Sequence, residues 1–527
     1  MNRHSAQLLV RSLTSVVAVA YASVVWGGSL SPDMDVSLEK AQQDSAVAVI
    51  LRIKEQPDRV TLMQANVGET RHERTARVAR LLREMSERSQ KDIQSELARE
   101  SLSGGVEQHK SLWITNGIAV KAKPAVIRRL AARADVAEVV PDRVVTLSTP
   151  QVVPASVVNG ANLVQVGAPV LWNKGIKGQG IVVASLDTGV DVNHPALQGK
   201  WRGGPDDWSD PHKGTTTPYD VSGHGTAVTG IMVGGNTTDN LVGMAPEAQW
   251  IAAKIFDDAG NTTLSTIHAA FQWLLDPDGN PATPDSPDIA NNSWELANTG
   301  LYDAEFQNDI NTLRAAGIAV VFAAGNEGPA PGTSVSPGNN QGAFPVGVVD
   351  NSGTIALFSS RGPSALDGSI YPALVAPGVN VRSSYVGGGY ATFSGTSVSA
   401  PHVAGAMALL KSALPGLTVT DAETALQQSV VGPGGPDNNY GWGRLDVGKA
   451  YAYLAAPGDV NGDGRIDVVD VLILLNAIVN PVQQTALIVK NADLSPLGAD
   501  VKPQGNGVLD IADALLLLRR AMGIVTW

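Results

Sequence analysis

Hydrophobic positions change their spacing three times along the chain, and each change marks a different kind of structure. Residues 46–53 (AVAVILRI) form a short apolar run that predicts a strand. From 69 to 100 the chain is strongly charged. Even so, Val78, Leu81, Leu82, Met85, Ile93 and Leu97 recur at three- and four-residue spacing, which predicts a long helix with one buried face. Two short strands around 111–122, a helix over 124–134 and a strand over 136–140 follow, giving a small β-α-β-β-α-β unit complete by about residue 148. From about residue 155 the texture changes. Apolar runs at 181–186 and 318–323 end in Gly, Asp or Asn, with helical patterns at 265–275 and 304–316 between such runs. Unbroken apolar strands alternating with helices predict an α/β domain, a parallel sheet with helices on both faces, reaching about residue 455. In the final stretch, 459–479 and 493–523 each join an Asp/Asn/Gly loop to an apolar helix, an internal duplication. The predicted layout is a leader at 1–28, a small α+β domain at 45–148, the α/β domain at 155–455 and a small all-α domain at 457–527.

Composition narrows the function. With 43% hydrophobic residues in 527, the chain buries a sizeable core and is not disordered. Only 17% are charged and 55 are Gly, which suits a tightly packed enzyme better than a coiled coil. Residues 1–150 carry 21 Lys and Arg against 17 Asp and Glu; the rest carry 17 against 33. An acidic main body does not grip phosphate backbones, so no nucleic acid is expected as partner. The absence of Cys excludes disulfides, cysteine nucleophiles and thiolate metal sites. Arg3 and Arg11 precede an apolar stretch over 13–26 with small-x-small sites such as Ala20-Tyr21-Ala22, which reads as a secretory signal peptide. The expectation is a secreted protein (extracellular, periplasmic or at the cell surface) with no membrane span in its mature form.

Three segments of the α/β region carry candidate chemistry. The run from 181 ends in Asp187-Thr-Gly189, a carboxylate at the C-terminal end of a buried strand, where open α/β sheets build their sites. Aspartic proteases also use Asp-Thr-Gly, but they need two carboxylates sharing a proton, and there is no second copy. Alone, Asp187 reads equally well as a turn or helix cap. In Ser222-Gly-His224-Gly-Thr226, glycines flank an imidazole ahead of small residues; the other seven histidines are expected to be ordinary surface residues. Ser397, in Phe393-Ser-Gly-Thr396-Ser397-Val-Ser-Ala-Pro401-His402, is placed to open an Ala- and Gly-rich helix. Unpaired N–H groups there favour negative charge on an attacked carbonyl oxygen. Gly-Thr-Ser-Val-Ser also occurs at 332–336, but that copy runs into Pro337-Gly338 and opens no helix. Context marks Ser397, then, and not the pentapeptide. No Gly-x-Ser-x-Gly elbow surrounds it, which argues against an α/β-hydrolase.

The order Asp187, His224, Ser397 on a parallel α/β domain resembles the subtilisin family of serine proteases, and Asn291-Asn-Ser-Trp294 resembles its bacillopeptidase-F-like branch. The resemblance implies an endopeptidase acting on proteins and peptides. Ser397 would be the nucleophile, His224 the general base and Asp187 its orienting partner. Asn326, in Ala323-Ala-Gly-Asn326-Glu-Gly328, would donate its amide to the oxyanion. By the same resemblance Ser293, Trp294 and Glu295, with Ala323, Ala324 and Gly325, form two walls of the pocket for the residue before the scissile bond. The family usually has Gly where this chain has Glu295. That residue is expected to point to solvent; the alternative is that it narrows the pocket or recruits Lys or Arg. Leu112-Trp-Ile-Thr-Asn-Gly-Ile-Ala119 and Val136-Ala-Glu-Val-Val-Pro-Asp142 resemble the family's inhibitory propeptide, which implies a self-processed zymogen cut near 145–155.

The C-terminal loops have metal-ligand spacing. Asp459, Asn461, Asp463, Arg465 (through its carbonyl), Asp467 and Asp470 fall at the positions of a calcium loop, with Gly464 at its sharp turn. This resembles a dockerin repeat. In the second loop an insertion separates Asp493 and Ser495 from Asn506, Val508, Asp510 and Asp513. Calcium is the expected ion, in a structural role, and the resemblance implies a cohesin-like partner. The competing expectation is a catalytically inactive protease-like scaffold that binds through this module. An intact set of Asp187, His224, Ser397 and Asn326 argues against it.

Overall fold

The computed structural model describes residues 28–64, 69–148, 151–154, 160–235, 241–432, 434–454, 457–461, 465–484, 486–498 and 503–527. The predicted leader, apart from its last residue, lies outside them.

In the N-terminal block, β1 (Ser29–Leu30), β2 (Val47–Ile53), β3 (Val106–Leu112), β4 (Gly117–Ala122) and β5 (Val136–Pro141) form one sheet in the order β1-β5-β2-β4-β3. All pairs are antiparallel except the β1–β5 edge. The unit starts before residue 45. β1 and the helix Pro32–Lys40 belong to it, because Met34 and Leu38 fill the same core as Val49, Leu51, Ile93 and Leu130. The long helix runs Arg71–Leu102 and is held at its start by a reciprocal cap between Thr70 and Glu73. Val78, Leu82, Ile93 and Leu97 are buried, whereas Leu81 stays 37% exposed, one step round the helix from the buried stripe.

Two short strands, β6 (Val144–Thr146) and β7 (Gln151–Pro154), lead out of this block. Then come β8 (Val182–Asp187), β9 (Trp208–Ser209), β10 (Gln249–Lys254), β11 (Asn261–Thr263), β12 (Ile289–Asn292) and β13 (Ala319–Ala323). β14 (Phe344–Val349), β15 (Leu374–Pro377), β16 (Val381–Tyr385) and β17 (Gly389–Ser394) complete the series. Seven of them build the predicted parallel sheet, in the order β15-β14-β13-β12-β8-β10-β9. Side chains alternate between its faces. Val183, Ile289 and Val321 pack with the helices His224–Val233 and Thr396–Ala413, while Ala184, Leu186, Val320 and Phe322 pack with Leu264–Leu275 and Gln307–Ala315. The last of these starts later than the predicted 304, because Phe306 takes the N-cap position with its ring buried in the core.

The second core is shared. Ile50, Val78, Leu82, Trp113 and Val145 of the N-terminal block join Phe271 and Leu274 in it, so that block sits on the outer helices of the α/β domain. Each such side chain contributes about 1.5–3 kcal/mol when fully buried. Charge complements the apolar contact. Arg52 meets Glu305 at 2.8 Å, Arg71 meets Asp288 at 3.1 Å, Arg83 meets Asp276 at 2.5 Å and Arg143 meets Asp303 at 2.6 Å, with the arginine always on the N-terminal side.

At the C-terminus, the helices Val468–Val479, Ala486–Ala492 and Ile511–Ala521 surround their own small core around Leu474, Leu494 and Leu517. The duplication is visible bond by bond. Asp470 accepts from the N–H groups of Val460, Asn461 and Asp467, and Asp513 accepts from those of Leu494, Ser495 and Asp510. Among the described residues no helix is long and apolar enough to cross a membrane.

Candidate active site

Asp187 is the last residue of β8, and His224 is the first of the helix His224–Val233. Glycine lets these two ends meet. A Cβ on Gly225 would lie 2.1 Å from the carbonyl oxygen of Gly189 and 3.1 Å from Asp187 Cβ, so any larger residue would push the helix off the strand. The Nδ1–H of His224 donates to Asp187 Oδ1 at 2.7 Å, and the Thr188 N–H donates to the same oxygen at 2.7 Å. Burial pulls the imidazole pKa down, but the charge and hydrogen bond of Asp187 outweigh it and hold the ring above its ordinary value. Its Nε2 is buried and carries no hydrogen bond, which leaves it as the free basic nitrogen.

Sequence reasoning passed over Asp220, four residues before His224. Its Oδ2 accepts from the Thr226 N–H at 3.0 Å and hydroxyl at 2.7 Å, and burial raises its pKa. Its negative charge also favours the protonated imidazole. The signal was its place on the loop that delivers His224.

Ser397 is the second residue of the helix Thr396–Ala413 and is only 5% exposed. The Thr396 N–H and hydroxyl donate to Asn326 Oδ1 at 2.9 and 3.1 Å. With Oδ1 held on Thr396, the Nδ2 of Asn326 is left as the donor end of its amide, near the start of the helix that carries Ser397. Within the same turn Val398 N–H bonds to Gly395 O at 3.1 Å, which leaves the N–H of Ser397 itself. Ser397 Oγ and His224 Nε2 are not hydrogen-bonded to each other. The second Gly-Thr-Ser-Val-Ser copy lies in a loop, as its proline implied.

Ser293 Oγ donates to the carbonyl of Ser397 at 2.8 Å and accepts from Asn291 Nδ2 at 2.9 Å, which ties this segment to the helix that carries Ser397. Trp294 turns the other way, its ring buried among Phe271, Phe306 and Phe322, so it gives a pocket no side chain. Ala323 ends β13, and the carbonyl of Ala324 accepts from the Tyr371 hydroxyl at 2.7 Å.

Glu295 does not point to solvent. Its Oε2 is buried without a hydrogen-bond partner, 2.8 Å from where a Cβ on Gly325 would sit. The side chain therefore crosses from one segment to the other, where lost hydration and Glu327 push its pKa up to about 7, against a smaller pull downward from the nearby Asn326 N–H.

Three of the remaining histidines are not on the surface either. His194, His268 and His402 are buried, because partners satisfy their rings: Gly389 O and Ala196 N–H for His194, Asp309 and Glu305 for His268, and Asn162 and Val398 O for His402.

In the C-terminal loops, Asp463 lies outside the described residues. Asp493 accepts from the N–H groups of Asn506 and Gly507, and Asp467 and Asp510 cap their helices. The loop carboxylates thus rest on backbone amides. Among the described residues, three carboxylates come within 4.8 Å of one another elsewhere, at Asp276, Asp278 and Asp285.

The sequence pattern of the Subtilase family matches residues 178–443. Bacillopeptidase F of Bacillus subtilis (strain 168) is 35% identical over 440 residues, which is 75% of this chain but 30% of that protein. The chain therefore spans under a third of that relative's length. Subtilisin Savinase of Lederbergia lenta is 33% identical over 290 residues, 54% of this chain and 96% of that protein. Serine protease AprX of Bacillus subtilis (strain 168) is 35% identical over 281 residues, 48% of this chain and 61% of that protein.

Proposed function

Given that the chain belongs to the subtilase family of serine-type endopeptidases, we propose that it hydrolyses proteins and peptides through Asp187, His224, Ser397 and Asn326. The observation that carries this reading is the Asp187–His224 bond, which leaves a buried Nε2 with no other task. Ser397 Oγ attacks the scissile carbonyl while Nε2 takes its proton, and Asp187 stabilises the imidazolium that results. The oxyanion receives the Asn326 amide and the Ser397 N–H, donors fixed in place before the reaction starts. His224 then returns the proton to the leaving amine, and a water repeats the cycle on the acyl-enzyme. Hydrolysis of an unfolded protein substrate by wild type, with Ser397→Ala and His224→Ala each reduced to a residual rate, supports the assignment. Undiminished turnover in either variant overturns it.

The N-terminal block acts as an inhibitory propeptide in the same reading. β6 pairs antiparallel with β11, Thr146 opposite Asn261, and Leu147 N–H extends the pairing to Gly260 O at 2.9 Å. β7 pairs antiparallel with β17, Gln151 opposite Ser394. β7 thus pairs beside Ser394, three positions before Ser397 in the sequence, and the propeptide reading puts the cut near 145–155. Secretion follows from the signal-like leader. The donors of the two C-terminal loops are hard oxygens, the class calcium takes, and the loops would hold it in a structural role with no part in hydrolysis. A cohesin-like partner for this module remains part of the proposal.

A further inference from the structure

Glu295 sets a carboxylate across the space beside the nucleophile, and we propose that it makes the enzyme select Lys or Arg as the residue whose carbonyl Ser397 attacks. The inference rests on the peptidase reading above and deepens it to a substrate class.

Two contacts place the carboxylate. Ser293, two residues earlier, is bonded to the carbonyl of Ser397, and Asn326 beside it has its side chain held by Thr396. Oε2 reaches the bare backbone of Gly325 on the facing segment, and no Cβ intervenes. A substrate carbonyl held between Ser397 and Asn326 carries its side chain one bond away. That side chain enters between the two segments and runs toward Glu295.

The groups facing Glu295 there are Glu327 and the Tyr371 phenol, and neither is a cation. A buried carboxylate oxygen without a partner is costly, and a substrate ammonium or guanidinium would relieve that cost with a charge-assisted hydrogen bond. An apolar side chain would bury the same oxygen further and return nothing. The chain's own processing region, residues 145–155, has no Lys or Arg. Tethering makes the first cut intramolecular, so it needs no matched side chain, and the cut end leaves the pocket unpaired for basic substrates.

The test uses the processed enzyme and peptides that differ only in the residue before the scissile bond: Arg, Lys, Phe or Ala. Wild type is expected to prefer Arg and Lys, and Glu295→Gln to lower the Arg-to-Phe ratio of kcat/KM by about 10²-fold. Glu295→Asp should restore part of the preference, which a merely structural role would not do. An unchanged ratio in Glu295→Gln overturns the proposal. So does an Ala preference that Glu295→Gly widens to Phe, because the carboxylate then only narrows the pocket. If no peptide is cut and no serine-directed probe reacts, the peptidase reading itself falls and takes this inference with it.

Discussion

Arg83→Ala should loosen the N-terminal block far more than Arg143→Ala, although both arginines pair with an acid across the same interface. The difference is burial. Asp276 has a side chain with 0% exposure, and Arg83, itself 30% exposed, lies over the Trp113 ring at 4.6 Å while it holds Asp276 at 2.5 Å. Removing that guanidinium leaves a buried carboxylate with no countercharge and its Oδ1 already unpartnered. Truncating one partner of such a pair costs 2–5 kcal/mol and acts on dissociation; about 3 kcal/mol corresponds to roughly a hundredfold faster release. Arg143 and Asp303 are 49% and 24% exposed, and water replaces the lost partner, so about 0.5 kcal/mol or roughly twofold is expected. The assay starts from full-length protein that has cut itself. Release of the block is followed by size exclusion, beside the lag before a peptide substrate is hydrolysed at full rate. Equal effects from the two substitutions, or no effect from Arg83→Ala, would refute the assignment of the interface energy to the buried pair.

Further outcomes follow from the same geometry. Asn326→Ala should lower kcat by about 10²–10³-fold with little change in KM, a magnitude taken from subtilisin, a member of the same family; steady-state kinetics showing a change confined to KM would remove Asn326 from the oxyanion site. Glu295 is protonated below about 7 and charged above it, so the Arg-to-Phe ratio of kcat/KM should rise as pH increases through about 7. His224 acts on both substrates and drops out of that ratio, and a flat profile would mean the carboxylate does not meet the substrate. A calcium chelator should lower the unfolding temperature of the C-terminal module in calorimetry and leave peptide hydrolysis unchanged, and an unmoved transition would exclude calcium there.

The strand-and-helix pattern was legible because apolar runs of period two and stripes of period 3.6 are local. So were Asp187, His224 and Ser397, since each sits at the end or start of an element announced by Gly. Tertiary contacts were not legible. Glu295 stands on a loop in the sequence and turns inward only because Gly325 leaves room opposite it. Trp294 reads as a pocket residue by family resemblance, yet an aromatic ring finds more apolar area among Phe271, Phe306 and Phe322. The inner histidines looked ordinary because their partners come from distant segments, as Asn162 does for His402. Residues 28–41 joined the first domain unannounced, because a two-residue parallel edge strand leaves almost no pattern.

The most direct test of the central claim is the intact mass of the secreted protein and of Ser397→Ala, each with and without a fluorophosphonate probe. The account predicts a wild type that has lost roughly its first 150 residues and carries one probe adduct, beside an uncut, unlabelled Ser397→Ala. Identical, unlabelled masses for two folded proteins free of inhibitor would contradict it and leave a protease-like scaffold whose triad does no chemistry.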